Sequence, residues 1–136
     1  MTVVKGFTCG AFDLVHPGHL DFFKKACQHC DYLTIGLHTD PTIDRPNTKN
    51  TPCESTYERW LRLDAVKYID EIIPYDTEAD LWNMLQMLEI DVRFLGEDYK
   101  HKGFTGKELP IKIEYIVRDH AYSSSGLRER IVLRGK

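Results

Sequence analysis

Nothing in this chain approaches the roughly 18 consecutive apolar residues of a membrane span, and its opening, "MTVVKGFTCG", has neither the basic stretch nor the long apolar stretch of a secretory leader. A soluble, cytoplasmic protein without a membrane partner is expected. A cationic excess is missing too: 18 Lys and Arg stand against 21 Asp and Glu, for a net charge of −3. That balance supplies no basic field to hold a nucleic acid backbone, so a nucleic acid partner is disfavoured. Cysteine is sparse. Cys9, Cys27, Cys30 and Cys53 include one C-x-x-C pair, "CQHC", and no second pair to complete a four-cysteine zinc site. A redox C-x-x-C needs its first thiol at a helix N-terminus, where the dipole lowers its pKa. This pair falls at a helix end and reads as small, partly buried residues in a reducing compartment. Repeats and a domain linker are also lacking.

What is present suits one globular domain over residues 1–136, with 42% hydrophobic and 29% charged residues. Residues 2–9, "TVVKGFTC", read as a strand, and "PGHLDFFKKACQHC" places Leu20, Phe23 and Cys27 on one helical face. "DYLTIGLH" is apolar enough for a buried parallel strand. The next eighteen residues, "TDPTIDRPNTKNTPCEST", carry three prolines and almost no periodicity, which marks a functional loop. "STYERWLRLDAVKYI" is a helix opened by a capping box, Ser55 with Glu58. "DEIIPY" is a short strand stopped by Pro74, "EADLWNMLQMLEI" an amphipathic helix, and "DVRFLGE" a fourth strand. "DYKHKGFTGKELP" reads as a mobile loop, "IKIEYIV" as a fifth strand and "SSSGLRERIVL" as a closing helix. Alternating strands and helices predict an α/β, Rossmann-like fold: an open parallel five-stranded sheet with helices on both faces.

The segment "CGAFDLVHPGHLDFF" raises the chemical question, because His16 and His19 sit three apart around Pro17 and Gly18. Zinc-binding helices place their histidines four apart with a glutamate between, and no further ligand stands at a matching distance. No protein-held metal is therefore expected. Two core histidines are one alternative. The other follows from position: proline belongs in the first turn of a helix, so both imidazoles lie beside free backbone N–H groups and the positive dipole end, where phosphate binds. Cys9, Gly10 and Ala11 add small residues at the strand end, the usual ligand position in open α/β sheets.

These residues resemble the nucleotidyltransferases with an H-x-G-H motif, and within them the cytidylyltransferases, especially those acting on glycerol 3-phosphate. "GAFDLVHPGH" is similar to G-x-F-D-x-x-H-x-G-H, "KYIDEIIP" to R-Y-V-D-E-V-I-P, "GEDY" to G-D-D-W, and "RDHAYSSS" to R-x-x-x-x-S-[ST]-[ST]. Four ordered segments span almost the whole chain. The resemblance implies that a phosphomonoester oxygen attacks the α-phosphorus of a nucleoside triphosphate and pyrophosphate leaves, with the protein positioning and neutralising charge. His16, His19, Lys49 and Arg118 would be catalytic. Lys49 lies ten residues before Arg59, as the catalytic lysine does in phosphocholine members. The nucleotide would contact Cys9, Gly10, Ala11, Phe12, His19, Gly96, Asp98, Tyr99, Arg118, Tyr122, Ser123, Ser124 and Ser125. The acceptor would meet His38, Asp40, Arg59, Lys67 and Trp82. Mg2+ would accompany the triphosphate, and a homodimer would pair near "KYIDEII".

Several positions depart from the family pattern: Lys67 replaces its arginine, Asp119 and Ala121 its Thr and Gly, and Tyr122 a small aliphatic residue. The leading expectation is transfer of CMP from CTP to a small phosphomonoester such as glycerol 3-phosphate, Lys67 keeping the charge of the cytidylyltransferase segment. "GEDYK" with Arg45 and Pro52 also resembles heptose-phosphate members, so an ATP-dependent adenylyltransferase acting on a sugar phosphate is the alternative. A nucleotide-binding sensor without turnover is a third reading.

Overall fold

In a computed structural model, which describes residues 2–135, the elements run β1 (Lys5–Gly10), α1 (Pro17–Cys27), β2 (Tyr32–His38), α2 (Thr56–Asp64), β3 (Glu71–Tyr75), α3 (Glu78–Met87), β4 (Val92–Gly96), a 3-10 helix (Glu97–His101), β5 (Lys112–Ile116) and α4 (Ser124–Arg134). The five strands form one parallel sheet in the order β3-β2-β1-β4-β5. Strand order reverses between β1 and β4, so the crevice beyond the ends of those strands is the natural ligand position.

Strand periodicity assigns the two faces. Leu33, Ile35 and Leu37 of β2 meet Phe23 and Ala26 of α1 and Leu63 of α2, with Phe94 and Ile116 from the next strands. Phe7 of β1 faces the other way and packs with Leu81 and Leu85 of α3 and with Tyr75. Helices therefore cover both faces, as the alternation predicts. The three interior helices are each fixed by a reciprocal cap: His16 with His19, Ser55 with Glu58, and Thr77 with Asp80.

Three boundaries differ from the sequence reading. β1 begins at Lys5 rather than Thr2. β3 runs through Pro74 to Tyr75, because it is an edge strand whose outer side needs no backbone donor. The segment read as a mobile loop instead opens with a 3-10 helix, Glu97–His101, and then folds over the α3 face. There Gly106 takes φ +84°, and a side chain would strike Leu85 at 2.5 Å. No helix among the described residues is long and apolar enough to cross a membrane.

Candidate active site

A cleft of about 800 Å³ opens at the carboxyl ends of β1 and β4. It brings together most of the residues singled out from the sequence: Cys9, Gly10, Ala11, Phe12, His16, His19, His38, Lys49, Gly96, Asp98, Tyr99, Arg118, Tyr122, Ser123 and Ser124. Ser125, Asp40, Arg59, Lys67 and Trp82 do not line it.

The approach to the histidines is a strained turn. Phe12 and Leu14 both adopt left-handed backbone, φ 49° and 54°, which costs about 1–3 kcal/mol each for such residues. The surroundings hold the turn in place. The buried Asp13 carboxylate accepts the N–H groups of Cys53 and Glu54 at 2.8 and 3.0 Å and pairs with Arg128 of α4. The Leu14 N–H donates to Glu54 at 2.9 Å. Burial alone would raise the Asp13 carboxyl pKa, but these N–H donors and Arg128 outweigh it and hold it below the ordinary carboxylate range. One side chain thus ties the motif to the long loop and to the last helix.

Beyond that turn the two histidines cap α1. His16 Nδ1 accepts from the Gly18 N–H at 3.0 Å, and His19 Nδ1 accepts from the His16 N–H at 3.1 Å. An accepting Nδ1 requires the proton on Nε2, so each neutral ring keeps an N–H donor free on its outer edge. The rings lie 4.0 Å apart. Burial, then the neighbouring imidazole, lowers His19 to about 4, and burial with His120 and Arg118 lowers His16. Both are neutral near pH 7. Gly18 allows this packing, since a side chain there would meet His16 at 2.8 Å and His120 at 2.9 Å.

On the opposite wall, Ser123 caps α4 by accepting from the Gly126 N–H at 2.9 Å, and Ser124 Oγ donates to the Asp13 carbonyl. Ser125 turns outward and is exposed. Arg118 is exposed, donating to the Tyr122 carbonyl at 2.7 Å. Its two neighbours are held by one ammonium: Lys25 Nζ donates to Val117 O at 3.0 Å and to Asp119 at 2.8 Å, while pairing with Asp21 at 2.8 Å. The unusual Asp119 therefore points at α1 and leaves the anion side free of its charge.

Four expected acceptor residues serve other ends. Arg59 is 1% exposed, and its donors go to the carbonyls of Glu54, Ser55, Ala11, His38 and Thr39 and to Thr56 Oγ1. It staples α2 to the ends of β1 and β2, with no donor left for phosphate. Asp40 accepts from Thr42 at the start of the long loop. Lys67 lies over the Tyr68 ring at 5.3 Å, in a separate depression with Val15, Leu20 and Arg62. Trp82 sits on α3 outside the cleft. His38 does reach the cleft, stacked on Tyr75 at 4.6 Å and donating from Nε2 to the Asp76 carbonyl. Its pKa is lowered, burial being the main cause.

Among the side chains that the fold brings here and to which the sequence reading gave no role are Asp13, His120, Arg93 and Glu78. Arg93 was detectable as a charge inside the otherwise apolar "VRFLG". His120 stands near Asp21 at 3.8 Å and beside His16, a meeting of α1 with the segment after β5 that no local pattern announces. Among the described residues no three His, Cys, Asp or Glu side chains converge as a metal site.

Comparison with known proteins agrees with this geometry. Residues 7–130 match the family model described as cytidylyltransferase-like. Bifunctional protein HldE of Campylobacter jejuni subsp. jejuni serotype O:6 is 32% identical over 125 residues, covering 92% of this chain and 27% of that protein. HldE of Helicobacter pylori strain HPAG1 is 30% identical over the same shares. The chain thus spans about a quarter of the length of these relatives. A lipopolysaccharide core biosynthesis protein from Thermoplasma volcanium has the same fold, with TM-score 0.68 and 23% identity over 90% of this chain and all of that one. Pantoate-beta-alanine ligase from Francisella tularensis follows at TM-score 0.61 and 19% identity, over 91% and 62% of the two chains. With the histidine-capped helix, the strand order and the family match in agreement, the chain belongs to the cytidylyltransferase-like family of nucleotidyltransferases.

Proposed function

We propose that the protein transfers AMP from ATP to the phosphate of a sugar phosphate and releases pyrophosphate. One observation carries the choice of this reading over CMP transfer to glycerol 3-phosphate. The loop features shared with heptose-phosphate members, Arg45 and Pro52, both reach the cleft, beside Gly96, Asp98 and Tyr99 of "GEDY", a segment common to both readings. Lys67, the feature that favoured CTP, lies in a separate depression and touches no part of it. The relatives at 32% and 30% identity are bifunctional HldE proteins, a match that supports the sugar-phosphate reading better than the glycerol 3-phosphate one.

The site's chemistry follows from its donors. An acceptor phosphate oxygen attacks the α-phosphorus, the α–β bridging bond breaks, and charge grows on the α-phosphoryl and pyrophosphate oxygens. The outer N–H groups of His16 and His19 donate to those oxygens without any proton leaving the rings. Lys49, on the long loop at the cleft mouth, closes over the transferring group. Arg118 and the amino end of α4 hold the β- and γ-phosphates. A Mg2+ brought by the triphosphate would neutralise part of its charge, held mainly by nucleotide oxygens and water, with the exposed Asp98 a carboxylate available on the cleft wall. A sensor needs affinity alone, whereas two donors aimed at developing charge suit turnover.

Pyrophosphate release, measured for ATP and CTP against heptose phosphates and glycerol 3-phosphate, tests the proposal. ATP with a sugar phosphate is expected to give kcat/KM at least roughly 10²-fold above CTP, as for a site built to pair one base. A ratio near one, or one favouring CTP, would return the assignment to cytidylyl transfer.

A further inference from the structure

The α3 side of the cleft holds a charge that the transfer chemistry leaves unused. Arg93 rises from β4 beneath the loop 103–106 and is 2% exposed. It has no carboxylate within ion-pair distance among the described residues. One amino group donates to the Thr105 carbonyl. The other has only the Cys9 thiol at 3.7 Å, a weak acceptor. Nε has no partner at all. The guanidinium lies 5.1 Å from the centre of the Phe104 ring.

The groups around it do not neutralise it. Glu78 stands nearby on α3, and it is already committed to Arg45 at 3.0 Å and to the Thr105 hydroxyl at 2.9 Å. Burial raises both the Cys9 thiol and the Tyr75 hydroxyl above their ordinary values, so neither offers an anion. Two cations thus face one carboxylate. A buried cation with no carboxylate partner is unfavourable for a fold, whereas an apolar side chain at this sheet position would carry no such cost. Function is the remaining reason to keep the charge here, on the cleft wall with Cys9, His38 and Glu78.

We propose that Arg93 binds an oxyanion of the acceptor, so that this face of the cleft, between β4, α3 and the loop 103–106, is the acceptor pocket. The occupant is the acceptor's own phosphate or a carboxylate elsewhere on the same molecule. The assignment rests on the adenylyltransferase reading for the identity of the acceptor, not for the presence of the anion site.

Two matched pairs of probes test it by calorimetric titration: glucose 1-phosphate with glucuronic acid 1-phosphate, and glycerol 3-phosphate with 3-phosphoglycerate. Within each pair a carboxylate replaces a hydroxymethyl group. Arg93→Met is expected to weaken binding about 30-fold or more, the loss that follows truncating one partner of a buried charge pair, while ATP affinity stays within twofold. Arg93→Lys, which keeps the charge, recovers part of it. Equal loss for both members of a pair identifies the phosphate as occupant, and loss confined to the acids identifies the carboxylate. Wild-type protein that binds none of the four at millimolar concentration overturns the proposal. So does an Arg93→Met protein, folded by circular dichroism, that binds them as wild type does. Failure of the adenylyltransferase reading looks different: anions bind through Arg93, yet ATP yields no pyrophosphate.

Discussion

His19 performs two tasks from two atoms, and substitution can separate them. Its Nδ1 accepts the His16 N–H at 3.1 Å and closes the cap of α1, while its Nε2–H is the donor offered to phosphate. Asparagine places an amide oxygen close to Nδ1 and nothing at Nε2; glutamine reaches the Nε2 position and abandons the cap. His19→Asn is therefore expected to keep stability within about 1 kcal/mol of wild type, since the cap survives. Its kcat should fall on the order of 10²–10³-fold, the loss on removing one transition-state donor. His19→Gln should show the converse: about 1 kcal/mol less stable through the lost cap, with a fall in kcat of no more than roughly tenfold. pH supplies a third check. With its pKa depressed from 6.5 to about 4, neutral His19 contributes stability that is fully present above pH 6.5 and lost as pH falls from 6.5 towards 4, because in that window the unfolded chain binds the proton first. The depression corresponds to about 3 kcal/mol at most. Urea titration at pH 7.5 and pH 5 for wild type and His19→Asn should show a larger acid-side loss in wild type. If His19→Asn is folded and keeps more than half the wild-type kcat, the donor assignment is wrong.

Further outcomes follow from other contacts. Lys49→Ala should lower kcat by on the order of 10²-fold, comparable to losing an electrostatic stabiliser, with little change in melting temperature; an unchanged kcat would make Lys49 a surface charge. Lys25→Met, by freeing the segment that carries Arg118, should raise KM for the triphosphate more than it lowers stability, and Lys25→Arg should restore it; a KM equal to wild type would disconnect the clamp from the anion site. Asp13→Asn should make the protein more sensitive to protease in the 40–54 loop, because Cys53, Glu54 and Arg128 lose their carboxylate, and equal digestion rates would contradict that tether. Light scattering is expected to give a dimer mass at micromolar concentration, the second copy covering the depression around Leu20 and Tyr68; Leu20→Glu should then yield a monomer, and a wild-type monomer would refute the pairing.

Much of the fold was legible because it rests on local periodicity and on caps. The apolar run of β2 and the capping box of Ser55 with Glu58 are written in neighbouring residues, and the structure follows them. Pro74 misled because its meaning depends on strand order: only an edge strand accommodates it. The histidine pair was legible as a helix start, and its neutral, outward-donating state was not. That state depends on which backbone N–H each Nδ1 meets. Phe12 and Leu14 carry no signal for left-handed backbone; the strain is imposed by Asp13 and Glu54 acting across the fold.

The two buried arginines show why residue type alone does not assign a role. Arg59 and Leu63 share one buried face of α2, four residues apart, a spacing that already sets Arg59 toward the interior. The fold then gives it five carbonyls and a hydroxyl, enough acceptors for every donor edge. Its charge is dispersed over oxygens of the chain itself, so removing it would loosen the junction of α2 with β1 and β2. Arg93 has the same chemistry and nearly the same burial but only one carbonyl, one distant thiol and an unpartnered Nε. A saturated guanidinium has nothing to offer a ligand. An unsaturated one, beside the Phe104 ring on the wall of the cleft, keeps a donor edge for the oxyanion proposed to bind there.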